Sequence, residues 1–217
     1  MGEYKCSLLS RFIVNHDNDL MESAMEAYWF YIDFFHGKMR PVEFLVDLLN
    51  ITTPVAQKLY DDYSQRSCAG CILFNDKKEV LLVNTVGVWL FPKGKQREGE
   101  PLLKTAARET FEETGYHVKG RFRTSIDVKQ KKTQLTRMFV YDNVPEFVFQ
   151  PQTRNEINAI KWVKIEDIPT LPGNISYLVR NCIHRLQINN AIRNKHSTRS
   201  RCTVRPVLTR RPTRTVL

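Results

Sequence analysis

Three glutamates, Glu109, Glu112 and Glu113, are spaced for one face of a helix. The segment between Pro101 and Gly115 contains no glycine or proline, and those two residues suit a first helical turn and the position after a helix end. Side chains at i, i+3 and i+4 lie on the same side of a helix, so the three carboxylates share a face. Like charges so close repel unless a cation lies among them. Hard oxygen ligands on one patch favour Mg²⁺ or Mn²⁺, which also bind water and substrate phosphate.

The wider stretch GKQREGEPLLKTAARETFEETGY resembles the Nudix signature, G-x(5)-E-x(7)-R-E-U-x-E-E-x-G-U, in which U is an apolar residue. Every invariant position is filled, and the departures are Thr110 and Tyr116 at the two U positions. An exposed charged helix is the alternative, but it does not account for seven spaced identities. The resemblance implies a Nudix α/β/α sandwich with a mixed sheet, metal bound by the three glutamates, and an ion pair between Glu100 and Arg108 that fixes the loop against the helix.

The segment 19–36 predicts a second helix that carries chemistry. One set of its residues has the spacing of a core stripe, namely Met21, Met25, Tyr28, Ile32 and Phe35. The neighbouring stripe is Glu22, Glu26, Trp29 and Asp33. An indole among carboxylates suits a flat cationic ligand, which stacking and cation–π attraction would stabilise by ~1–2 kcal/mol when desolvated. Periodicity alone leaves a second interpretation open, in which Trp29 packs against another domain.

This helix also carries a second resemblance. The segments SRFIVN and AYWFYIDF, followed by WLFPKGK, the glutamate helix and RNEINAIKWVKIEDIPTLP, resemble the catalytic-subunit family of mRNA-decapping enzymes over about residues 10–190. The resemblance implies that Trp29 and Asp33 recognise the 7-methylguanine of the cap, and that Glu156 faces the metals and acts as general base. The implied reaction is metal-dependent hydrolysis of capped RNA to 7-methylguanosine diphosphate and 5′-monophosphate RNA, during cytoplasmic mRNA decay and in processing bodies.

Other residues are candidates for phosphate or partner binding. Lys93 and Lys95 flank Gly94 beside the glutamate helix, where they could hold phosphate. The family resemblance implies an activator subunit on the N-terminal helices and an RNA-binding helix after the Nudix core. The sequence after Asp167 contains no acidic residue and ten basic ones: Arg180, Arg185, Arg193, Lys195, Arg199, Arg201, Arg205, Arg210, Arg211 and Arg214. Because 33 − 10 basic residues balance the 23 acidic ones, the whole charge of +10 lies at this end and favours a polyanion such as RNA.

The sequence predicts an α+β protein in four parts. Residues 1–63 form a helical domain, 64–67 a hinge, 68–194 a Nudix domain with a C-terminal basic amphipathic helix over 174–194, and 195–217 a disordered tail. Asp17 or Asn18 is expected to cap the second helix, and Thr53 with Pro54 to begin the last one of the helical domain. Strands are expected in CAGCILFN, EVLLVNT, VWLFP, TRMFVYDNV and AIKWVKI.

Composition excludes other classes. No run approaches 18 apolar residues, so we expect neither a membrane span nor a signal peptide. Five scattered cysteines favour a reducing compartment. Cys68 and Cys71 form a lone C-x-x-C, for which two small strand residues are favoured over zinc or redox chemistry. Two functional alternatives stay open: a Nudix hydrolase for a small polyphosphate, and a Nudix fold kept as a non-catalytic RNA-binding module.

Overall fold

The computed structural model describes residues 3–14, 19–129, 134–152 and 157–200, and gives side chains between residues 4 and 188 of these ranges. The helices of residues 3–65, called the helical region below, are α1 (Glu3–Leu8), which continues into a π-helical segment (Leu9–Ile13), α2 (Leu20–Phe35), α3 (Pro41–Leu49) and α4 (Thr53–Gln65). Asp19 caps α2 by accepting the backbone N–H groups of Met21 and Glu22. The predicted caps Asp17 and Asn18 lie outside the described residues.

The helical region has its own apolar core, and α2 is its centre. The predicted stripe is buried at Met21, Met25 and Tyr28, but Phe35 is 42% exposed and does not belong to it. Tyr31 takes that place, because its ring contacts Tyr4 of α1 and Phe44 of α3, with ring centroids 5.2 and 5.1 Å apart. The buried face of α2 therefore departs from the heptad spacing of the predicted stripe, because α2 packs against both α1 and α3.

Residues 68–200, called the sheet region below, contain two four-stranded sheets. The first has the order β4 (Lys93–Lys95), β1 (Cys68–Leu73), β6 (Leu135–Tyr141), β5 (Thr124–Lys129); the second has the order β7 (Ala159–Val163), β2 (Val80–Thr85), β3 (Val88–Leu90), β8 (Asn174–Ile175). β1 pairs parallel to β6 and antiparallel to β4, so the first sheet is mixed. β3 pairs antiparallel to β2 and parallel to β8, so the second is mixed as well.

Alternating strand residues place the two remaining helices on opposite sides of the sheets. Ile72 of β1 belongs to the core cluster under α6 (Tyr177–Ser200), whereas Cys71 and Leu73 belong to the cluster that contains Ala106 of α5 (Leu102–Thr114). The predicted α+β class, with a helical N-terminal part followed by a mixed-sheet sandwich, is therefore confirmed. Cys68 and Cys71 are buried strand residues, and burial raises the pKa of the Cys71 thiol to about 12.

Two predicted boundaries move. α4 extends to Gln65, so the first half of the expected 64–67 hinge is helical and the connection is formed by Arg66 and Ser67. α6 extends to Ser200, six residues into the segment expected to be disordered, because no glycine or proline interrupts the chain between Gly173 and Pro206. Residues 201–217 lie outside the described part. Within the described residues, no helix combines the length and apolarity that a membrane crossing requires.

Candidate active site

Helix α5 holds the three signature carboxylates against the sheet. It ends at Gly115, whose φ of 79° is the left-handed conformation that closes many helices. Glu109 and Glu113 are each only 9% exposed, and Glu112 is partly exposed. Thr105, Ala106 and Thr110 of α5 are also buried, so this part of the helix packs into the protein. The carboxylates thus lie at the boundary between the core and the cleft that faces the helical region.

Arg108 is the centre of the site's electrostatics. Its Nε and Nη2 donate to the two carboxylate oxygens of Glu100 at 3.1 and 3.0 Å, which is the pair that the signature implied. Nη2 also donates to the Lys95 carbonyl at 2.9 Å, so the guanidinium fastens the preceding loop to α5. Its Nη1 donates to Glu109 at 2.7 Å and to Glu112 at 3.0 Å. This second function, bridging two of the signature carboxylates, was not predicted from the sequence.

Gly94 gives Glu109 its space. A Cβ on Gly94 would lie 2.0 Å from the carboxylate carbon of Glu109, so this carboxylate can keep its present position only against a glycine. Burial raises the pKa of Glu109 to about 7; the Arg108 guanidinium opposes this rise, and the neighbouring Glu112 adds to it. A cation bound beside Glu109 would lower this raised pKa again, because it stabilises the charged form of the carboxyl group.

The donor set suits a divalent metal ion. Glu109, Glu112 and Glu113 offer hard anionic oxygens on one face, and Gly94 leaves room for the Glu109 carboxylate against β4. In the described part of the chain, however, no three acidic, histidine or cysteine side chains converge on one point, because Arg108 lies between Glu109 and Glu112. A cation would bind to this face by replacing part of the positive charge that the guanidinium now supplies.

The other predicted site residues have different outcomes. Glu156 lies outside the described residues. Lys95 donates to the carbonyls of Tyr63 and Ser64 at 3.0 Å each, and its ammonium lies 4.9 Å from the centroid of the Tyr63 ring. Lys95 therefore caps the C-terminus of α4 in this arrangement and is not directed at a phosphate. Lys93 is partly buried on β4, directly before Gly94.

Glu26 in the acidic stripe of α2 and Glu112 on α5 are joined by one side chain. Arg97, in the loop before α5, lies between them: its Nη2 is 3.3 Å from Oε1 of Glu26 and 3.8 Å from Oε1 of Glu112. Trp29 follows Glu26 by three residues, about 4.5 Å along the helix axis. It is 50% exposed, and its ring contacts Tyr28 edge-on at 5.1 Å. Asp33 lies one turn farther along and is partly buried.

A second set of contacts joins the two regions at the hinge. The Asp19 carboxylate, 4% exposed, accepts two bonds from the Arg66 guanidinium, one of them at 3.1 Å, and one from the backbone N–H of Glu98 at 3.0 Å. Burial alone would raise the pKa of Asp19, but these hydrogen bonds outweigh it and lower the pKa. Asp19 thus links α2, the hinge and the loop before α5.

Sequence reasoning missed Arg97 and Asp19 as functional contacts. An acid directly before the first apolar-periodic residue is a helix-cap signal that could have identified Asp19. No comparable signal exists for Arg97, whose two partners lie 71 residues before it and 15 residues after it.

Comparison with known proteins supports the architecture. The chain matches the NUDIX domain family over residues 64–183, more than half of its 217 residues. It is 42% identical to the m7GpppN-mRNA hydrolase dcap-2 of Caenorhabditis elegans, over 46% of this chain and 14% of that protein. It is 25% identical to the mRNA decapping complex subunit 2 of Schizosaccharomyces pombe, over 80% of this chain and 27% of that protein. The chain therefore spans at most about a quarter of the length of these two relatives.

Among solved structures, the MutT protein of Methanosarcina mazei is 23% identical and covers 58% of this chain and 94% of its own, with a TM-score of 0.46. The signature on α5, the mixed sheets on which α5 packs and the family match over residues 64–183 agree with one another, and on this basis the chain belongs to the Nudix family.

Proposed function

We propose that this protein removes the 5′ 7-methylguanosine cap of mRNA, releasing 7-methylguanosine diphosphate and 5′-monophosphate RNA, and that it acts in cytoplasmic mRNA decay. One observation carries the proposal: Arg97 contacts both Glu26, which belongs to the same stripe of α2 as Trp29, and Glu112 on α5. A cap presents a cationic purine next to a chain of phosphates. The two halves of the cleft suit these two parts of the ligand.

The phosphate half is served by α5. Nudix hydrolases generally use divalent metal ions, and we propose Mg²⁺ or Mn²⁺ on Glu109, Glu112 and Glu113. Such an ion, when bound, neutralises phosphate oxygens and orients water. The chain's own contribution is geometric: the pair between Arg108 and Glu100 fixes the loop that carries Gly94 against the helix, with Nη2–Oε2 at 3.0 Å. Glu156 is the proposed general base, a role that the family resemblance supports.

The base half is served by α2. N7 methylation gives guanine a positive charge, which the face of an indole attracts and which a nearby carboxylate stabilises further. Trp29 is exposed enough to receive a ring, and Asp33 lies one helical turn away, where its carboxylate would accept hydrogen bonds from the ring's N–H groups. A small-polyphosphate hydrolase would not need this stripe, and a non-catalytic module would not need intact carboxylates on α5.

RNA and protein partners bind elsewhere on the chain. Of the described basic side chains on α6, Arg180 is exposed and Arg185 donates to the Asp127 carbonyl at 2.7 Å. This helix and the basic segment after it would follow the RNA backbone by charge, without reading its sequence. The exposed apolar side chains of Val14, Phe34 and Phe35 on the helical region support an activator subunit docking there.

The deciding experiment uses RNA labelled in its cap phosphates, incubated with the protein and Mg²⁺ or Mn²⁺, alongside free cap dinucleotide. We expect labelled 7-methylguanosine diphosphate from capped RNA, far slower hydrolysis of the dinucleotide, and no product from Glu113→Gln. Equal rates on RNA and dinucleotide would indicate a small-polyphosphate hydrolase instead. RNA binding without any product would indicate the non-catalytic module.

A further inference from the structure

Arg97 lies between two carboxylates that belong to different regions of the chain. Its Nη2 is 3.3 Å from Glu26 on α2 and 3.8 Å from Glu112 on α5. The side chain is 36% exposed and lines a cavity of about 530 Å³ between the two regions, so it has room to move. Arg97 is thus a guanidinium that links the helical region directly to a proposed metal ligand.

The two arginines on Glu112 are not equally anchored. Arg108 keeps both oxygens of Glu100 and the Lys95 carbonyl even if it loses Glu112. The Arg97 side chain has no comparable anchor. Its contacts with Glu26 and Glu112 are longer, and its buried Nε has no hydrogen-bond partner among the described residues. Oε2 of Glu22, on the same side of the cleft, is also buried without a hydrogen bond in this part of the chain. Buried polar atoms without partners are costly, so this side of the contact is the one that can rearrange.

We infer that Arg97 is a positioning residue that a divalent cation on α5 displaces from Glu112, so that cation binding and docking of α2 are coupled through this one side chain. The inference rests on the proposed metal site. A cation bound to Glu112 repels a guanidinium held within 4 Å of the same carboxylate, and Arg97 is the less anchored of the two. Without the cation, Arg97 holds Glu112 toward the helical region; with it, the contact with α2 loosens.

Coupling between two binding events is reciprocal, so it can be measured from the metal side. Mn²⁺ is titrated into the full chain, and the free ion is followed by its electron paramagnetic resonance signal. Arg97→Gln removes the competing positive charge and should tighten Mn²⁺ binding by roughly three- to tenfold, a modest coupling because the side chain is partly exposed. Lys104→Gln removes the same charge from the exposed side of α5 and should leave the affinity unchanged.

The α2 side is measured independently by amide hydrogen exchange of residues 20–26 and 96–99. In the wild type, Mn²⁺ should accelerate exchange in these segments, since the bridge opens. In Arg97→Gln, exchange should already be fast and should not respond to the metal. Glu26→Gln cuts only the α2 end, so it should give fast exchange without metal. By the same reciprocity it should tighten Mn²⁺ binding, but by less than Arg97→Gln does, because Arg97 can still contact Glu112.

The outcomes separate this inference from the proposed function, because neither measurement needs RNA. Equal Mn²⁺ affinities of wild type and Arg97→Gln, with binding abolished by Glu113→Gln, would overturn the coupling and leave the metal site standing. A larger gain in Mn²⁺ affinity from Glu26→Gln than from Arg97→Gln would also overturn it, because the coupling would then not pass through Arg97. Mn²⁺ binding that is absent or indifferent to Glu113→Gln would overturn both the coupling and the metal site. Coupling without cleavage of capped RNA would support the coupling and contradict decapping.

Discussion

Helices α5 and α2 both present carboxylates to the same cleft, but they do so in opposite ways. On α5, Glu109 and Glu113 are 9% exposed, and Arg108 holds Glu109 at 2.7 Å. On α2, Glu26 accepts a longer bond, and Trp29 is half exposed. A buried network fixes its geometry but cannot lose a member without leaving a polar group unsatisfied. A partly exposed stripe binds through separate contacts. Changes on α5 should therefore stop the reaction on every substrate, and changes on α2 should alter which substrate is preferred.

The largest expected effect is that of Glu113→Gln. The substitution removes one anionic oxygen at nearly constant volume, and the loss of a metal ligand should lower the rate at least ~100-fold on methylated and unmethylated caps alike. Single-turnover rates at saturating metal measure it, with circular dichroism to show that the fold is kept. Glu98→Gln, an exposed acid in the loop before α5, is the control and should keep the wild-type rate. If Glu113→Gln kept more than about a tenth of the rate, the metal assignment would be wrong.

Gly94→Ala tests whether the activity of the buried carboxylates on α5 depends on the shape of their surroundings as well as on charge. The added Cβ would lie 2.0 Å from the Glu109 carboxylate, which must move, while the backbone φ of Gly94 does not require glycine. We expect a fall in rate of about 10- to 100-fold on both caps, with a small change in melting temperature. Gly99→Ala adds a methyl group in the same loop where nothing lies within 4 Å, although its φ of 70° strains the backbone. A larger loss of rate in Gly99→Ala than in Gly94→Ala would attribute the effect to the loop backbone rather than to Glu109.

The same contrast explains what could be predicted from sequence. The face of α5 follows from spacing within one helix, so Glu109, Glu112 and Glu113 were recognised together. β1, β2 and β6 were found because their apolar runs are long. β4 reads Lys-Gly-Lys, and β5 has only Ile126 and Val128 buried in its alternation, so neither carries a clear strand signal.

Contacts between the two regions could not be predicted, because they depend on how separately folded segments pack. Lys95 is an example: its position beside Gly94 suggests phosphate, yet its ammonium caps the end of α4. Packing within the helical region is equally hard to predict, since the burial of Tyr31 is decided by α1 and α3 rather than by the periodicity of α2. Local patterns specify which residues share a face. They do not specify what that face meets.

On α2, Trp29→Ala should reduce the rate on methylated-cap RNA more than on unmethylated-cap RNA. Only the charged ring gains from the indole, and a loss of ~1–2 kcal/mol corresponds to roughly a five- to thirty-fold fall in discrimination. Saturating substrate should recover part of the rate, because α5 is untouched. Asp33→Asn should act in the same direction. Phe34→Ala removes another exposed aromatic side chain of α2 outside the stripe and should leave discrimination unchanged. An equal loss on both caps would show that Trp29 is a packing residue.

The smallest effect should come from deleting residues 201–217, which leaves α6 intact and removes five arginines: Arg201, Arg205, Arg210, Arg211 and Arg214. Each lost phosphate contact lowers the log–log salt slope of single-stranded RNA binding by roughly 0.7, so the slope should fall by up to about 3.5. Because these contacts read charge alone, affinity should fall equally for methylated and unmethylated caps, and the rate at saturating RNA should not change. Titrations at several salt concentrations measure the slope. A control in which residues 201–217 are replaced by a glycine–serine linker of equal length that carries the same five arginines should restore it. If neither slope nor affinity changed, residues 201–217 would not contact the RNA. Recognition of the substrate would then depend on α2 for the cap and on α6 for the RNA.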